Sequence, residues 1–363
     1  MTETRLSGIA EAIAAFAAGE MLVVVDDEDR ENEGDLFVAA SHCTPAQMAF
    51  IVRHTSGIVC APLTGAIAKR LRLDPMVSLN DALQGTAFTV SVDARKGLTT
   101  GISAIERTAT VKLLADAAAA PADLVRPGHV FPLIANEGGV LMRSGHTEAC
   151  VDLCVLAGLP PVGVLAELVN DDGTVMRGPE VAAFARAHGL KLISIADLIA
   201  WRQTREQLVR RLSSFDLASE IGPLRGHVYA TPFDRVQHFA FVYGELGEGQ
   251  EVPTRLHRGS VFTDVFGGAT AIKGSLARFA AAGRGVLVYL RDGAAGVPNA
   301  LPEESGNAET RRKEQWREIG LGAQILRDLG VTSIVNLTAN PDREFVGLSG
   351  FGVTILRSEG LGE

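Results

Sequence analysis

Apolar residues recur along the chain in two textures, short β-branched runs and longer Ala/Leu-rich stretches with helical spacing. In the first part, Met21–Val25, Leu36–Ala39, Gly57–Cys60, Ala87–Val92, Val162–Val169 and Leu192–Ile195 predict strands. Helical periodicity predicts helices over Pro45–His54, Ser103–Leu114, Thr147–Leu156 and Pro179–His188. The second part repeats the alternation, with strands expected at Phe239–Tyr243, Gly285–Tyr289, Ser333–Leu337 and Gly352–Ile355 and helices at Gly274–Ala282 and Arg312–Leu329. Asp292–Thr310, rich in Gly, Ala, Pro and Asn, reads as a loop. The class is α/β or α+β, and the mixed order leaves the sheet topology open.

A chain of 363 residues exceeds what one hydrophobic core of ordinary size serves, which favours two domains. Arg202–Arg211 reads as a charged helix, and Ser213–Ser214 followed by Gly222–Pro223 carries linker signals, so the boundary is expected at about 205–212, with domains 1–207 and 208–363. No repeat of solenoid or propeller length recurs.

Composition then narrows the function classes. Hydrophobic residues make up 47% and charged residues 21%, as in ordinary globular proteins. The balance of 34 Lys+Arg against 43 Asp+Glu argues against a nucleic-acid surface or a polybasic membrane anchor, so an anionic ligand would have to be met locally. No apolar run reaches the length of a membrane span, and residues 1–18 lack the pattern of a signal peptide, from which a cytoplasmic address is expected. Four cysteines, all before residue 155, are too few and scattered for a disulfide scaffold.

Two segments carry chemistry. Asp26-Asp27-Glu28-Asp29-Arg30-Glu31-Asn32-Glu33-Gly34-Asp35 packs seven carboxylates between two apolar strands, a crowding that costs stability unless a cation offsets it. A solvated hairpin tip is the bland alternative. An EF-hand register starting at Asp29 places Gly34 correctly but puts Ala40 where a bidentate Glu is required. Magnesium, which uses one or two carboxylates plus water and substrate oxygens, fits better. The second segment, Arg143-Ser144-Gly145-His146-Thr147, precedes a periodic helix, with Thr147 or a neighbour as N-cap. Free N–H groups, the helix dipole and the Arg143 fork suit a phosphate, and His146 could ligate a metal. A capped helix with a surface arginine is the competing reading.

Single residues add to this. His129 opens an apolar strand, as a structural histidine or a base, and Glu167 sits in an otherwise apolar strand, where a carboxylate is costly unless paired or used. Cys60 is an inert core thiol or a pocket wall, and Cys150 and Cys154 read as helix packing.

Taken together, DDEDRENEGD from Asp26, TSGIVC ending at Cys60, PGHVFPL around His129, RSGHTEA from Arg143 and AELVNDDGT around Glu167 resemble 3,4-dihydroxy-2-butanone 4-phosphate synthase over about residues 5–200, with order and spacing kept. The resemblance implies conversion of D-ribulose 5-phosphate to L-3,4-dihydroxybutan-2-one 4-phosphate and formate, with Mg²⁺ or alternatively Mn²⁺, in a homodimer with active sites near the interface. It implies Glu31 and His146 as metal ligands. Arg30, Glu31, Asp35, Arg143, Ser144, Gly145, His146, Thr147 and Glu167 would contact substrate, and His129, Glu167 and Asp35 would serve catalysis. No nucleic-acid or membrane partner is expected.

Residues from about 215 to 357 are similar to GTP cyclohydrolase II, through Phe239–Tyr243 with Gly244, Thr254–His257, Asp264–Gly267, Gly283–Gly285 and Leu337–Pro341. The three zinc cysteines of that family correspond here to Ser260, Ala271 and Lys273, and Asp292–Gly296 replaces its Gly/Arg-rich loop, so zinc and GTP hydrolysis are not expected. Two alternatives stand beside this. One is a bifunctional enzyme with a replacement site for GTP, and the other is a second domain acting in dimerisation, regulation or partner docking.

Overall fold

The structure, a computed structural model, describes residues 6–26, 30–82, 84–207, 209–231, 236–291, 320–338 and 352–361. Chain contacts divide it into two units, one running to Trp201 and the other starting at Arg202.

The first unit is built on a seven-stranded mixed sheet, in the order β4-β5-β3-β6-β2-β1-β7. Its strands are β1 Leu22–Val25, β2 Gly34–Ala39, β3 Cys60–Thr64, β4 Val92–Ala94, β5 Leu124–Ala135, β6 Gly163–Glu167 and β7 Lys191–Ser194. Its helices are α1 Ile9–Ala17, α2 Pro45–His54, α3 Gly65–Leu71, α4 Ala104–Ala115, α5 His146–Leu156, α6 Pro179–Ala187 and α7 Ile195–Arg205. Side chains of a strand alternate between faces, and both faces here are covered. Leu36 and Val38 of β2 pack with Met48, Ile51, Val111, Leu114 and Val181 of α2, α4 and α6. Phe37 and Ala39 pack on the other face with Phe16, Ala149, Leu153 and Leu198 of α1, α5 and α7. The helix starts have local causes. Thr44 and Gln47 form a capping box ahead of Pro45 on α2, and Ser103 and Glu106 form another on α4.

The second unit has the sheet order β14-β13-β11-β12-β10-β9-β8, with β8 Arg210–Ser219, β9 Gly222–Ala230, β10 Gln237–Tyr243, β11 Val252–Arg258, β12 Gly285–Leu290, β13 Ser333–Thr338 and β14 Thr354–Gly360. Strands β8, β9, β10 and β12 are joined antiparallel, whereas β12, β11, β13 and β14 run parallel to their neighbours. Helix α8, Thr270–Ala282, places Phe279 against Leu287, Val335 and Leu337, while α9, Gly322–Asp328, places Ile325 and Leu326 against Val286 and Val288. Both units are therefore mixed α/β, the class expected from the alternation of textures.

Several expected elements move. The strand expected at Gly57–Cys60 starts only at Cys60, because Gly57 at φ +76° turns the chain before it. Of Ala87–Val92, Phe88 and Thr89 make only isolated bridges and Val92 alone enters a strand, as the first residue of β4. The charged helix expected at Arg202–Arg211 is corrected: it is the last turn of α7 followed by the start of β8. The linker signals at Ser213–Ser214 and Gly222–Pro223 belong to the β8–β9 hairpin, whose bulge lies between Arg211 and Ser213. The division between units falls upstream of the expected 205–212 stretch, since Gln324 of α9 donates to the carbonyls of Gln203 and Glu206 and draws the end of α7 into the second unit. Asp292–Thr310, residues 312–319 of the expected Arg312–Leu329 helix, and Ala339–Pro341 lie outside the described residues. No described helix is long and apolar enough to cross a membrane.

Candidate active site

The β1–β2 hairpin carries the acidic turn, of which Asp27–Asp29 lie outside the described residues. Asp26 organises the rest. Its Oδ2 accepts from Arg30 Nη1 at 2.8 Å and from the Glu31 N–H at 3.1 Å, and its Oδ1 accepts from the Glu33 N–H at 2.9 Å. Arg30 also donates to Glu31 Oε2, so its buried guanidinium is clamped between two carboxylates. These bonds turn a run of like charges into a fixed cup.

Against this cup stands His146, the first residue of α5. Its Nε2 lies 3.2 Å from the Val24 carbonyl and 3.9 Å from Asp35 Oδ1, and its Nδ1 lies 3.8 Å from Glu31 Oε2. Ligand atoms of Asp26, Glu31 and His146 all lie within 4.8 Å of one another. Glu31 and His146 are thus brought together, and Asp26 joins them. Within the acidic run nothing in the sequence sets Asp26 apart except its place as the first acid after the strand. Burial would lower the His146 pKa, but Asp35, Glu31 and Asp26 outweigh it and raise it to about 9. Burial likewise opposes ionisation of Glu31, but His146 and Arg30 hold its carboxyl down to about 2. Asp35 is pushed up to about 8, chiefly by its complete burial, with Glu167, Glu31 and Glu33 adding to the rise against His146.

Sheet register explains why distant carboxylates meet. Asp35 pairs with Val24 on one side and with Glu167 on the other, so their side chains share the face covered by α5. One strand further on, Cys60 opposes Leu165 and also Phe131, which carries the same row onward to His129. His129 therefore stands in line with Glu167 and Asp35 but on β5, two strands beyond Glu167, and its own partner is Asp93. Glu167 is steadied by Ser56, whose hydroxyl donates to Oε2 at 2.8 Å and whose N–H donates to the Glu167 carbonyl at 2.9 Å. Cys60 is buried, and burial together with Glu167 and Asp35 pushes its thiol pKa up, so it stays neutral and acts as wall rather than nucleophile.

The Arg143–Thr147 turn differs from the expected cradle in one respect. Arg143 directs Nη1 to Glu148 Oε2 at 2.7 Å and Nη2 to Gln84 O at 3.1 Å and Thr86 Oγ1 at 3.2 Å. The fork thus holds the 84–86 segment instead of standing open. The N-cap of α5 is Gly145 rather than Thr147, and no side chain caps it. The first N–H groups of the helix are therefore left for an anion. A Cβ at Gly145 would run into the Arg143 guanidinium. Ser144 and Thr147 are buried beside it.

Three buried atoms here have no hydrogen-bond partner among the described residues, Arg30 Nε, Asp35 Oδ1 and Ser144 Oγ. Buried polar atoms are nearly always paired, so this pocket is built for something polar. Two carboxylates, one imidazole and an unpaired carboxylate oxygen suit a hard divalent cation that keeps part of its coordination for water and substrate oxygens. Because His146 and Asp35 hold protons up to about pH 9 and 8, cation binding must displace them. Mg²⁺ affinity is accordingly expected to rise across about pH 7 to 9, and a calorimetric Kd that stays constant over that range would overturn the competition.

In the second unit, Asp264 gathers His257 Nε2 at 2.9 Å, the Tyr289 hydroxyl at 2.7 Å and the Ser260 N–H at 2.9 Å. The positions expected to correspond to zinc ligands are a hydroxyl at Ser260, a methyl at Ala271 and an exposed ammonium at Lys273. None of the three is a thiolate, imidazole or carboxylate, the donors from which zinc sites are built. Among the described residues, His, Cys, Asp and Glu donors converge at one place, Asp26, Glu31 and His146.

Comparison with known proteins follows the same division. A family model described as 3,4-dihydroxy-2-butanone 4-phosphate synthase matches residues 10–201, and one described as GTP cyclohydrolase II matches residues 210–359. The bifunctional riboflavin biosynthesis protein RIBA 1, chloroplastic, of Arabidopsis thaliana is 46% identical over 96% of this chain and 68% of its own. The monofunctional riboflavin biosynthesis protein RIBA 2, chloroplastic, of the same plant is also 46% identical, over 96% of this chain and 76% of its own. Among solved structures, RibBX, a two domain 3,4-dihydroxy-2-butanone 4-phosphate synthase from A. baumannii, has a TM-score of 0.80 at 38% identity, covering 96% of this chain and 99% of that one. A 3,4-dihydroxy-2-butanone 4-phosphate synthase in complex with two magnesium ions has a TM-score of 0.54 at 48% identity, covering 55% and 98%.

Proposed function

The chain belongs to the 3,4-dihydroxy-2-butanone 4-phosphate synthase family and is a lyase of riboflavin biosynthesis, and from that premise we propose how its own residues work. The substrate is D-ribulose 5-phosphate, and the products are L-3,4-dihydroxybutan-2-one 4-phosphate and formate. The observation that carries this reading is the set of unpaired buried atoms, Arg30 Nε, Asp35 Oδ1 and Ser144 Oγ, around a cluster of carboxylates and imidazole. A polyhydroxy phosphate bound with a divalent cation would satisfy all three.

Asp26, Glu31 and His146 would hold Mg²⁺, with Mn²⁺ as a substitute. When bound, the ion supplies Lewis-acid polarisation of the ketone and its neighbouring hydroxyls. The phosphate would sit on the uncapped N-terminus of α5, beside Ser144 and Thr147. Arg143 supports that seat from behind by holding the 84–86 segment. Glu167, held by Ser56, and Asp35, in the same row, share the proton transfers at carbon, and His129 serves the far end of the row. Substrate and products balance in every atom, so the reaction needs no oxidant or reductant.

Exposed Ile58, Ile102 and Ile105, at 49%, 50% and 69%, lie near the His129 end of that row and support a homodimer whose sites lie close to its interface. The four buried free thiols favour a reducing, cytoplasmic setting. The second domain is read as a GTP cyclohydrolase II relative without hydrolase activity, supported by the unfit donor set at Ser260, Ala271 and Lys273.

Formate release from ribulose 5-phosphate tests the main reading, with Mg²⁺ present and after EDTA; release that ignores the chelator would count against it. Bifunctional and monofunctional relatives are equally similar, so GTP is the second substrate to offer. Zinc-loaded protein is expected to leave GTP intact, and formation of a pyrimidine product would restore the bifunctional alternative.

A further inference from the structure

We propose that Asp93 is the positioning residue for His129, fixing its ring so that Nε2 is the atom offered to the reaction; the inference rests on the reading above that His129 serves catalysis. Asp93 lies on β4 where the ladder to β5 slips. Val92 opposes Val130, and after a bulge Asp93 opposes Val125. The extra residues, Arg126–His129, lie on β5, and bulges re-aim side chains; this one brings the His129 N–H and ring to the Asp93 carboxylate. Asp93 Oδ1 accepts the His129 backbone N–H at 2.9 Å, and Oδ2 lies 2.7 Å from His129 Nδ1. One carboxylate thus holds both the strand position and the ring.

Two glycines make the approach possible. A Cβ at Gly128 would collide with the backbone of Val92 and Asp93, and a Cβ at Gly101, at φ +87°, would strike the Asp93 carboxylate and the His129 ring. Arg107 is buried nearby, donating to the carbonyls of Gly57 and Ile102, and places a cation in the electrostatic reach of Asp93.

The chemistry follows from donor counting. A carboxylate only accepts, so the proton of a neutral imidazole must sit on Nδ1, leaving the Nε2 lone pair outward. A pair that merely stitched two strands would have no need to expose the ring. Here the Asp93 side chain is 7% exposed and the His129 side chain 39%, and Nε2 makes no hydrogen bond among the described residues.

A double-mutant cycle on the full-length protein tests this, with kcat and KM from formate release and a melting curve for each variant. His129→Ala is expected to lower kcat by about 10²-fold or more. Asp93→Asn keeps the shape and an acceptor for the backbone N–H but loses tautomer control; it should lower kcat at least about tenfold with KM little changed. In the His129→Ala background Asp93→Asn should cost no further kcat, since coupled residues are not additive. Asp93→Glu, which keeps the acceptor, is the second variant and must retain more kcat than Asp93→Asn. Equal losses from Asp93→Asn in both backgrounds, or wild-type kcat in that variant while His129→Ala is impaired, would overturn the positioning role. Wild-type kcat in His129→Ala would instead remove the catalytic reading of His129, and the proposal with it.

Discussion

Replacing Glu31 with Gln is expected to cut Mg²⁺-dependent formate release by about 10³-fold or more, because a bound cation supplies several kcal/mol of transition-state stabilisation. The substitution is close to isosteric and its consequence is electrostatic. Glu31 Oε2 carries charge held down to about pH 2 and faces both Arg30 and His146. The turn itself should survive, since Asp26 and not Glu31 accepts the organising backbone N–H groups. Loss of Mg²⁺ affinity measured by calorimetry, at an unchanged melting temperature, would separate a ligand's role from a structural one. A rate within about tenfold of wild type would remove Glu31 from the metal centre.

The largest effect on stability is expected at Glu148. Its carboxylate is 1% exposed and receives Arg143 Nη1 at 2.7 Å, the Asn136 N–H at 2.9 Å and Asn136 Nδ2 at 3.2 Å. Glu148→Ala strands the Arg143 guanidinium, itself only 9% exposed, without its counter-charge. Removing one partner of a buried pair costs about 3–5 kcal/mol. The melting temperature should fall by several degrees, and activity with it, because the 84–86 segment hangs on the same fork. A double replacement of Glu148 and Arg143 by apolar residues should recover part of the stability but none of the activity. An unchanged denaturation midpoint for Glu148→Ala would contradict the burial argument.

What could be read in advance followed from how local each signal is. Helices α2, α4, α5 and α6 were legible because caps, Pro45 and Pro179, and apolar spacing lie within a few residues of one another. The β8–β9 hairpin was not, because β8 is mostly exposed and polar and the Ser and Gly-Pro pairs of the two strands imitate a linker. Strand β11 escaped for a related reason. Thr254 and His257 are buried polar residues that find their partners nearby, in the Val252 carbonyl and Asp264, so the segment lacks an apolar pattern.

The site divides in the same way. Glu31, Asp35, His146 and Glu167 announced themselves as charges beside or within apolar strands or helix starts. Their supports did not, because Ser56 finds Glu167 across 111 residues and Asp93 finds His129 across 36. Arg143 shows how a partner stays hidden in a sequence. Its fork suggested an open anion contact, but Gln84, Thr86 and Glu148 claim it, and no spacing rule reveals a partner on another segment.

Helix α5 is buried without interruption from His146 through Cys154. The residue expected to hold the cation and the residues that fill the centre of the fold are thus successive turns of one rod, with Gly163 pressed against Cys150 Sγ at its flank. Substitution has little freedom in so closely packed a segment. A change of side-chain volume among Cys150, Leu153 and Cys154 shifts the rod, and the shift is felt at its first residue as a displaced imidazole. Catalytic competence in this unit is therefore inherited together with its interior, and the two can drift only in concert.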